Sequence, residues 1–381
     1  MRSVSIVGIG QLPVTSATAL SLRGMGAEAV RLAMADAGVE RVDALMCGNM
    51  LSSELQGQKH VAALIADEAE LHGIEALEAG AVTASGAAAL RMAFLAVGSG
   101  QADLAVAVGV EKMSDAVAMP AISKALDAER EVAHGATMIS RNAELMAMYM
   151  ERSGAPSHAM VWFAVNAHKN ARNNPYALFH RMRVSPRKAL TSRVIQAPLR
   201  LYDCAPICDG AAAVVLAPSD QARAYTDRPV RILASSVATD RFRIEDREDP
   251  LQLEGARLSA HKAFVQANVH RGDVSFFEVH DAFSIMSCLQ LEAAGFAEPG
   301  KGWRLAAERK IGIRGRLPIT TMGGLKARGH PIGASGVYQI VEAVLQLTGR
   351  AGRNQVPDAH VGLVQSIGGA ASTVITHILG V

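Results

Sequence analysis

Gly323-Gly324-Leu325-Lys326-Ala327-Arg328-Gly329-His330-Pro331-Ile332-Gly333-Ala334-Ser335-Gly336 is the most informative stretch of the chain. Pro331 biases the backbone of His330 towards an extended conformation. The glycines on both sides permit a tight turn and the close approach of a ligand to the main chain. The apolar run that follows, Val337-Tyr338-Gln339-Ile340, reads as the start of a helix. The string therefore presents one imidazole beside free N–H groups and the positive end of a helix dipole. That layout suits the stabilisation of an oxyanion. Taken alone, it is more readily a Gly-rich turn with an incidental histidine.

Working outward, the end of this string has an earlier counterpart. Ala84-Ser85-Gly86 opens the apolar run Ala87-Ala88-Ala89-Leu90, as Ala334-Ser335-Gly336 opens its own. Later in each half a small-residue turn feeds a strand-like run, at residues 209–216 and again at 368–375. Two strings in the same order point to a duplicated chain. Short apolar or β-branched runs (residues 4–7, 104–110, 230–234, 275–279 and 359–364) alternate with Ala-rich segments of helical period (26–37, 85–97, 255–268 and 335–347). This alternation predicts an α/β fold with helices covering a mainly parallel sheet. The expected division is 1–225 and 226–381, with the join in the polar stretch 219–229. Residues from 115 to about 200 fit neither pattern and carry many His, Arg, Asn and Met, so an inserted loop domain is expected there.

A chain of 381 residues, half of them hydrophobic, is long enough for a large core. A net charge of +2 gives no concentrated basic face, which argues against nucleic acid as partner. Cys47, Cys204, Cys208 and Cys288 form no disulfide framework, and the expected compartment is a reducing one. Cys204 and Cys208 are read as structural rather than as half of a metal site, so no metal is expected. The sequence runs directly into a strand-like segment, and a secretory leader is not expected. No apolar run is expected to reach the roughly 18 residues that a membrane span needs. A cytoplasmic protein with no membrane partner is the expectation.

A second histidine strengthens the first. Glu278-Val279-His280-Asp281-Ala282-Phe283 follows a strand-like run, which places His280 at the end of a strand, the usual rim for sites in parallel sheets. Together, His280-Asp281-Ala282-Phe283, the Gly-His-Pro-Ile-Gly-Ala-Ser-Gly string and the closing Gly368-Gly369 resemble the C-terminal half of a thiolase. Gly48-Asn49-Met50-Leu51-Ser52, Gln56-Gly57-Gln58 and Gly109-Val110-Glu111-Lys112-Met113-Ser114 resemble its N-terminal half, as does the stretch from Asp203 to Ala213. The resemblance covers essentially the whole chain and is closest to the sterol-carrier and archaeal type. It implies a thiolase fold: duplicated halves in five layers, α-β-α-β-α, with two five-stranded sheets, in a homodimer or tetramer.

The resemblance also implies a site. The family's nucleophilic Cys stands in a Cys-x-Ser-Gly motif, and here Thr83 occupies that position. A thiol near a helix N-terminus and a histidine is easily activated, whereas a Thr hydroxyl needs a strong dedicated base. The family's second Cys would fall at Ser366, or at Ala282 in the sterol-carrier type. By resemblance, His330 is the base beside the nucleophile, His280 binds the thioester oxygen, and Gly369 offers a backbone N–H. Gly329, Gly333, Ala334 and Ser335 are expected on the CoA and pantetheine side. His168, Lys169, Arg172, Arg181 and Arg183 of the insert fit the nucleotide end of CoA or a solvated helix face equally well.

The implied activity is that of an acyl-CoA C-acyltransferase of the acetyl-CoA acetyltransferase type, acting on CoA thioesters with no cofactor. Two alternatives stand beside it. One is a retro-aldol lyase on a β-hydroxyacyl-CoA, which needs no nucleophile and for which Tyr338 is a candidate group. The other is a non-catalytic CoA-binding subunit beside a small OB-fold, zinc-ribbon partner protein.

Overall fold

The computed structural model describes all 381 residues. Its strands are β1 (Val4–Gln11), β2 (Ala44–Gly48), β3 (Glu75–Glu78), β4 (Ala105–Glu111), β5 (Val194–Gln196), β6 (Leu199–Arg200), β7 (Gly210–Pro218), β8 (Val230–Thr239), β9 (Phe276–Glu278), β10 (Val361–Gly368) and β11 (Thr373–Gly380). The longer helices are α1 (Leu22–Ala37), α2 (Val61–Glu68), α3 (Ser85–Ser99), α4 (Met138–Ser153), α5 (Val161–Ala171), α6 (Glu254–Ala267), α7 (Ser284–Ala293) and α8 (Ser335–Leu347). Every strand-like and helical run read from the sequence falls on one of these elements.

Strand order is β3-β2-β4-β7-β1-β8-β11-β10-β9, with β5 and β6 forming a separate hairpin. β7 is antiparallel to both of its neighbours, β1 and β4, while β2, β3 and β4 run parallel. On the other side, β11 is antiparallel to β8 and β10, and β9 is parallel to β10. In each half one strand alone runs against the rest, so the sheet is mixed: within each half most strands point the same way, while five of its eight pairings are antiparallel. The expected pair of five-stranded sheets is modified in two ways. The halves join edge to edge through two residues of β1 and β8. The second half has four full strands, and its fifth is reduced to a single bridge between Phe277 and Ile319.

The layers follow from which face each side chain takes. Alternate residues of the first-half strands, such as Val106 and Val215, pack with α1 and α2 on one outer side. The other set, such as Ala107 and Val214, packs with α3 and α8 and with Phe276 and Val364 of the second half. α6 and α7 cover the opposite outer face. α3 and α8 therefore form the middle of five layers. They meet closely because glycine lies at the crossing: a Cβ on Gly336 would sit 2.4 Å from the Ala87 nitrogen, and one on Gly86 2.6 Å from the Gly333 oxygen.

This middle layer corrects one expectation. The stretch Val82–Ser99 is 18 residues long with a mean hydropathy of 1.3, so an apolar run does reach the length of a membrane span. It is apolar because it lies between two sheets. Residues 115–200 contain α4, α5 and the β5–β6 hairpin, and α4 packs against α7 over the second half.

Candidate active site

Each central helix begins with a tight turn, and these turns face the same space. Thr83 lies in the turn Val82–Ala84 immediately before α3, and Ile332–Ala334 precedes α8 in the same way. His280 lies two residues beyond β9. Thr83, His280, His330 and Gly369 all line one cavity of about 110 Å³. The two imidazoles meet edge to face, with centroids 5.2 Å apart.

The hydrogen bonds define what each group has left to offer. The Thr83 hydroxyl donates to the Ile367 carbonyl at 2.6 Å and accepts from the Gly369 N–H at 3.2 Å. Its proton is thus held by a backbone carbonyl, not by a base. His330 Nδ1 lies 2.7 Å from Ser335 Oγ, which also donates to the Pro331 carbonyl. On this network Nδ1 carries the proton and Nε2 keeps a free lone pair. His280 is held by its backbone: its N–H donates to Gln290 Oε1, and its carbonyl accepts from Gln290 Nε2. Its Nδ1 is buried without a partner.

Both histidines are neutral. Burial, then the positive charges of Arg328 and Lys326, push His280 down to about 3. Burial, His280 and Arg328 hold His330 well below the usual histidine range. The cations are locked in place behind the site. Lys326 pairs with Asp281 at 3.3 Å and Arg328 with Glu342 at 3.0 Å, all four fully buried. Asp281 also accepts the Leu325 N–H at 2.6 Å, which ties the His280 loop to the His330 loop.

Several expected site residues take other places. Ser366 does not line the cavity: it points the opposite way along β10 and donates to Gln339 Oε1 at 2.7 Å. Gly329, Gly333, Ala334 and Ser335 do not line it either. Gly333 and Ala334 pack against the first half, and Ser335 orients His330. The N–H groups of that turn are already used, since Gly333 donates to Glu111 and Ala334 and Ser335 donate to the Pro331 carbonyl. The N–H groups of Gly333, Ala334 and Ser335 are therefore not free to receive an oxyanion. Tyr338 is also excluded: its hydroxyl donates to the Leu12 carbonyl, and its ring lies against Arg328. Among the insert residues, His168 is a core residue against Phe179 and Tyr202, pushed down to about 4 by burial. Lys169, Arg172, Arg181 and Arg183 are exposed.

Other residues emerge only in three dimensions. Met113, Met119, Met138 and Met286 give the cavity flexible apolar walls, and the insert supplies two of them. Glu111 is completely buried, accepts N–H groups of Met50, Leu51 and Gly333 and the Asn49 side chain, and is raised by burial to about 7. It pins the 49–51 loop to the His330 turn. Cys204, read as structural, is half-buried and lines the cavity. A larger cavity of about 460 Å³ lies around Tyr149, Glu292 and Arg304 but contains neither histidine. Its Glu292 is occupied by Tyr149, Gly300 and Gly302.

Comparison with known proteins agrees with this architecture. The model of the thiolase N-terminal domain matches residues 4–220, and that of a thiolase C-terminal domain-like family matches 236–381. An acetyl-CoA acetyltransferase of Methanothermobacter thermautotrophicus is 42% identical, covering 99% of this chain and 99% of that protein. Sterol carrier protein 2 of Bos taurus is 29% identical, covering 98% of this chain and 71% of that protein. A solved structure described as an Ltp2-ChsH2(DUF35) aldolase superposes with a TM-score of 0.86 at 25% identity, covering 99% of this chain and 97% of the other. The chain belongs to the thiolase family.

Proposed function

We propose that this protein acts on CoA thioesters as a carbon–carbon bond enzyme of the thiolase type, making or cleaving a 3-ketoacyl-CoA. The observation that carries the reading is the pair of neutral histidines facing Thr83 and Gly369 around one apolar cavity. A neutral imidazole can donate to a thioester oxygen as it gains charge, while its bare nitrogen accepts a proton. His280 takes the first role and His330 Nε2 the second. Thr83 stands at the nucleophile position, but its proton faces the Ile367 carbonyl, so transfer through an acyl-Thr83 is slow. The near-full-length acetyl-CoA acetyltransferase relatives support the acyltransferase class. Cytoplasmic location, a homo-oligomer and a partner protein belong to the same proposal; the aldolase structure's name couples two proteins.

Thiolysis of acetoacetyl-CoA tests the reading. The wild type should turn over well below the roughly 1–10³ s⁻¹ usual for enzymes, and Thr83→Cys should raise the rate about 100-fold or more. A fast wild-type rate with the acyl label on Thr83 or on any native cysteine would overturn it. Calorimetric titration should show CoA and acetoacetyl-CoA binding by wild type and by His330→Ala alike, since thioester binding does not need the base. Binding that arises only with an added partner would favour the subunit role. The unactivated Thr83 hydroxyl also favours a second reading, retro-aldol cleavage of a β-hydroxyacyl-CoA, which needs no nucleophile. No tyrosine lines the cavity, so that route needs another proton donor.

A further inference from the structure

We propose that Cys204 is the proton donor of this cavity, its thiol giving a proton to the α-carbon of the thioester enolate. The inference rests on the CoA-thioester reading and adds a catalytic group to it. Of the groups lining the cavity that carry an exchangeable acidic proton, the Thr83 hydroxyl is committed to Ile367, and both histidines are neutral. Cys204 is the one thiol in the lining. Its S–H makes only a loose contact, 3.7 Å to the Arg200 carbonyl.

The backbone places it with purpose. Cys204 forms an antiparallel bridge with Phe283, and the Ala205 N–H donates to the Ala282 carbonyl at 2.8 Å. The backbone of Cys204 is thus fixed against the loop that carries His280. His280 lines the same cavity, is buried, and its side chain makes no hydrogen bond, so it is a polar group left for a bound ligand. The other cysteines are elsewhere: Cys47 is inside β2, Cys208 accepts the His330 N–H, and Cys288 sits beside Glu292. Burial and the neighbouring Asp203 raise the Cys204 thiol to about 12, opposed by Lys326, so it rests protonated, as a donor must.

The step balances. When the Cα–Cβ bond breaks, its electron pair remains on the thioester as an enolate, while C3 leaves either bonded to the sulfur of an incoming CoA as a new thioester, in thiolysis of a 3-ketoacyl-CoA, or as the carbonyl of an aldehyde or ketone, in retro-aldol cleavage of a β-hydroxyacyl-CoA. That pair forms a C–H bond with the thiol proton, and sulfur keeps the S–H pair as a thiolate. In thiolysis the incoming CoA thiol gives up the proton that restores Cys204. In retro-aldol cleavage the substrate hydroxyl gives it up through His330. In reverse, the thiolate removes the α-proton.

Exchange of the α-hydrogens of acetyl-CoA and butanoyl-CoA in D₂O, followed by mass spectrometry, reads this step without any nucleophile. Wild-type exchange should rise about tenfold per pH unit between 7 and 9, as the thiolate fraction grows. Cys204→Ser and Cys204→Ala should lower it about 100-fold or more and flatten the pH profile. Calorimetric titration of the same variants should show butanoyl-CoA binding within twofold of wild type, which separates lost chemistry from lost folding. Iodoacetamide at pH 9 should label Cys204 first, and butanoyl-CoA should protect it. Unchanged exchange in Cys204→Ser, with binding intact, overturns the proposal and leaves the CoA-thioester reading standing. No binding by the wild type overturns both.

Discussion

Thr83 shows how one side chain decides the chemistry of a site whose frame is otherwise complete. A hydroxyl has a single proton, and here the Ile367 carbonyl has it. Rotating it towards a histidine would leave a buried carbonyl unpaired, at a cost of about 1–3 kcal/mol. Gly329 is as decisive for the backbone. Its φ of +116° lies in the region that side chains avoid, and a Cβ would sit 2.5 Å from Val14 Cγ1. We predict that Gly329→Ala costs about 1–3 kcal/mol from backbone strain alone, with the clash in addition. Gly80→Ala, where a Cβ meets nothing within 4 Å, should be nearly neutral. Calorimetric melting of both variants checks this, and equal Tm values would show that the Gly329 turn relaxes freely.

The elements carrying the two histidines are locked together by buried charge. Asp281 follows His280, and Lys326 and Arg328 precede His330 by four and two residues. Removing one partner leaves a buried charge uncompensated, which costs about 3–5 kcal/mol. Lys326→Met should therefore destabilise strongly in urea unfolding. It should also raise the pH at which His280 protonates, read by NMR, because a nearby positive charge is gone. A variant as stable as wild type, with unmoved His280 signals, would refute the lock.

The contrast with the sequence is instructive at this scale. The strand and helix runs, the doubled turn-helix strings and the meeting of His280 with His330 were legible, because period and punctuation act locally. The direction of the turn's N–H groups was not. Gly333 gives its N–H to Glu111, which lies 222 residues away. Ser366 and Cys204 exchanged their expected standing for the same reason. Which face of β10 Ser366 takes depends on Gln339, and Cys204 reaches the cavity only through its bridge to Phe283.

Across the whole molecule, the buried groups set the pH at which the fold is secure. Burial raises Glu111 to about 7 and also holds Glu278 above the usual carboxylate range, the latter helped by Glu342. Burial likewise raises Cys47, Cys204, Cys208 and Cys288 above the ordinary thiol value of 9.0. In each case the native state keeps a proton that the unfolded chain has released. Stability then falls as pH rises, from the unfolded-state value of the group up to its folded value. For the two glutamates this fall begins above about pH 4.5, and Glu278 extends it past the point where Glu111 has ionised. For the four thiols it begins near pH 9. On the acid side, His168, His280, His330 and His377 are held neutral while the unfolded chain gains protons below about 6.5. They act in the opposite sense to the glutamates between about pH 4.5 and 6.5. Above pH 6.5 the histidines no longer contribute, and the remaining groups all act in one direction. We therefore predict that stability in urea declines steadily from pH 7 to pH 10. The decline should steepen above pH 9, by about 1.4 kcal/mol per pH unit for each thiol that stays protonated in the native state. Cys47→Ala should remove one thiol's share of the steep phase, even if it lowers stability at neutral pH. A flat or rising profile between pH 8 and 10 would mean that the thiols ionise in the folded protein.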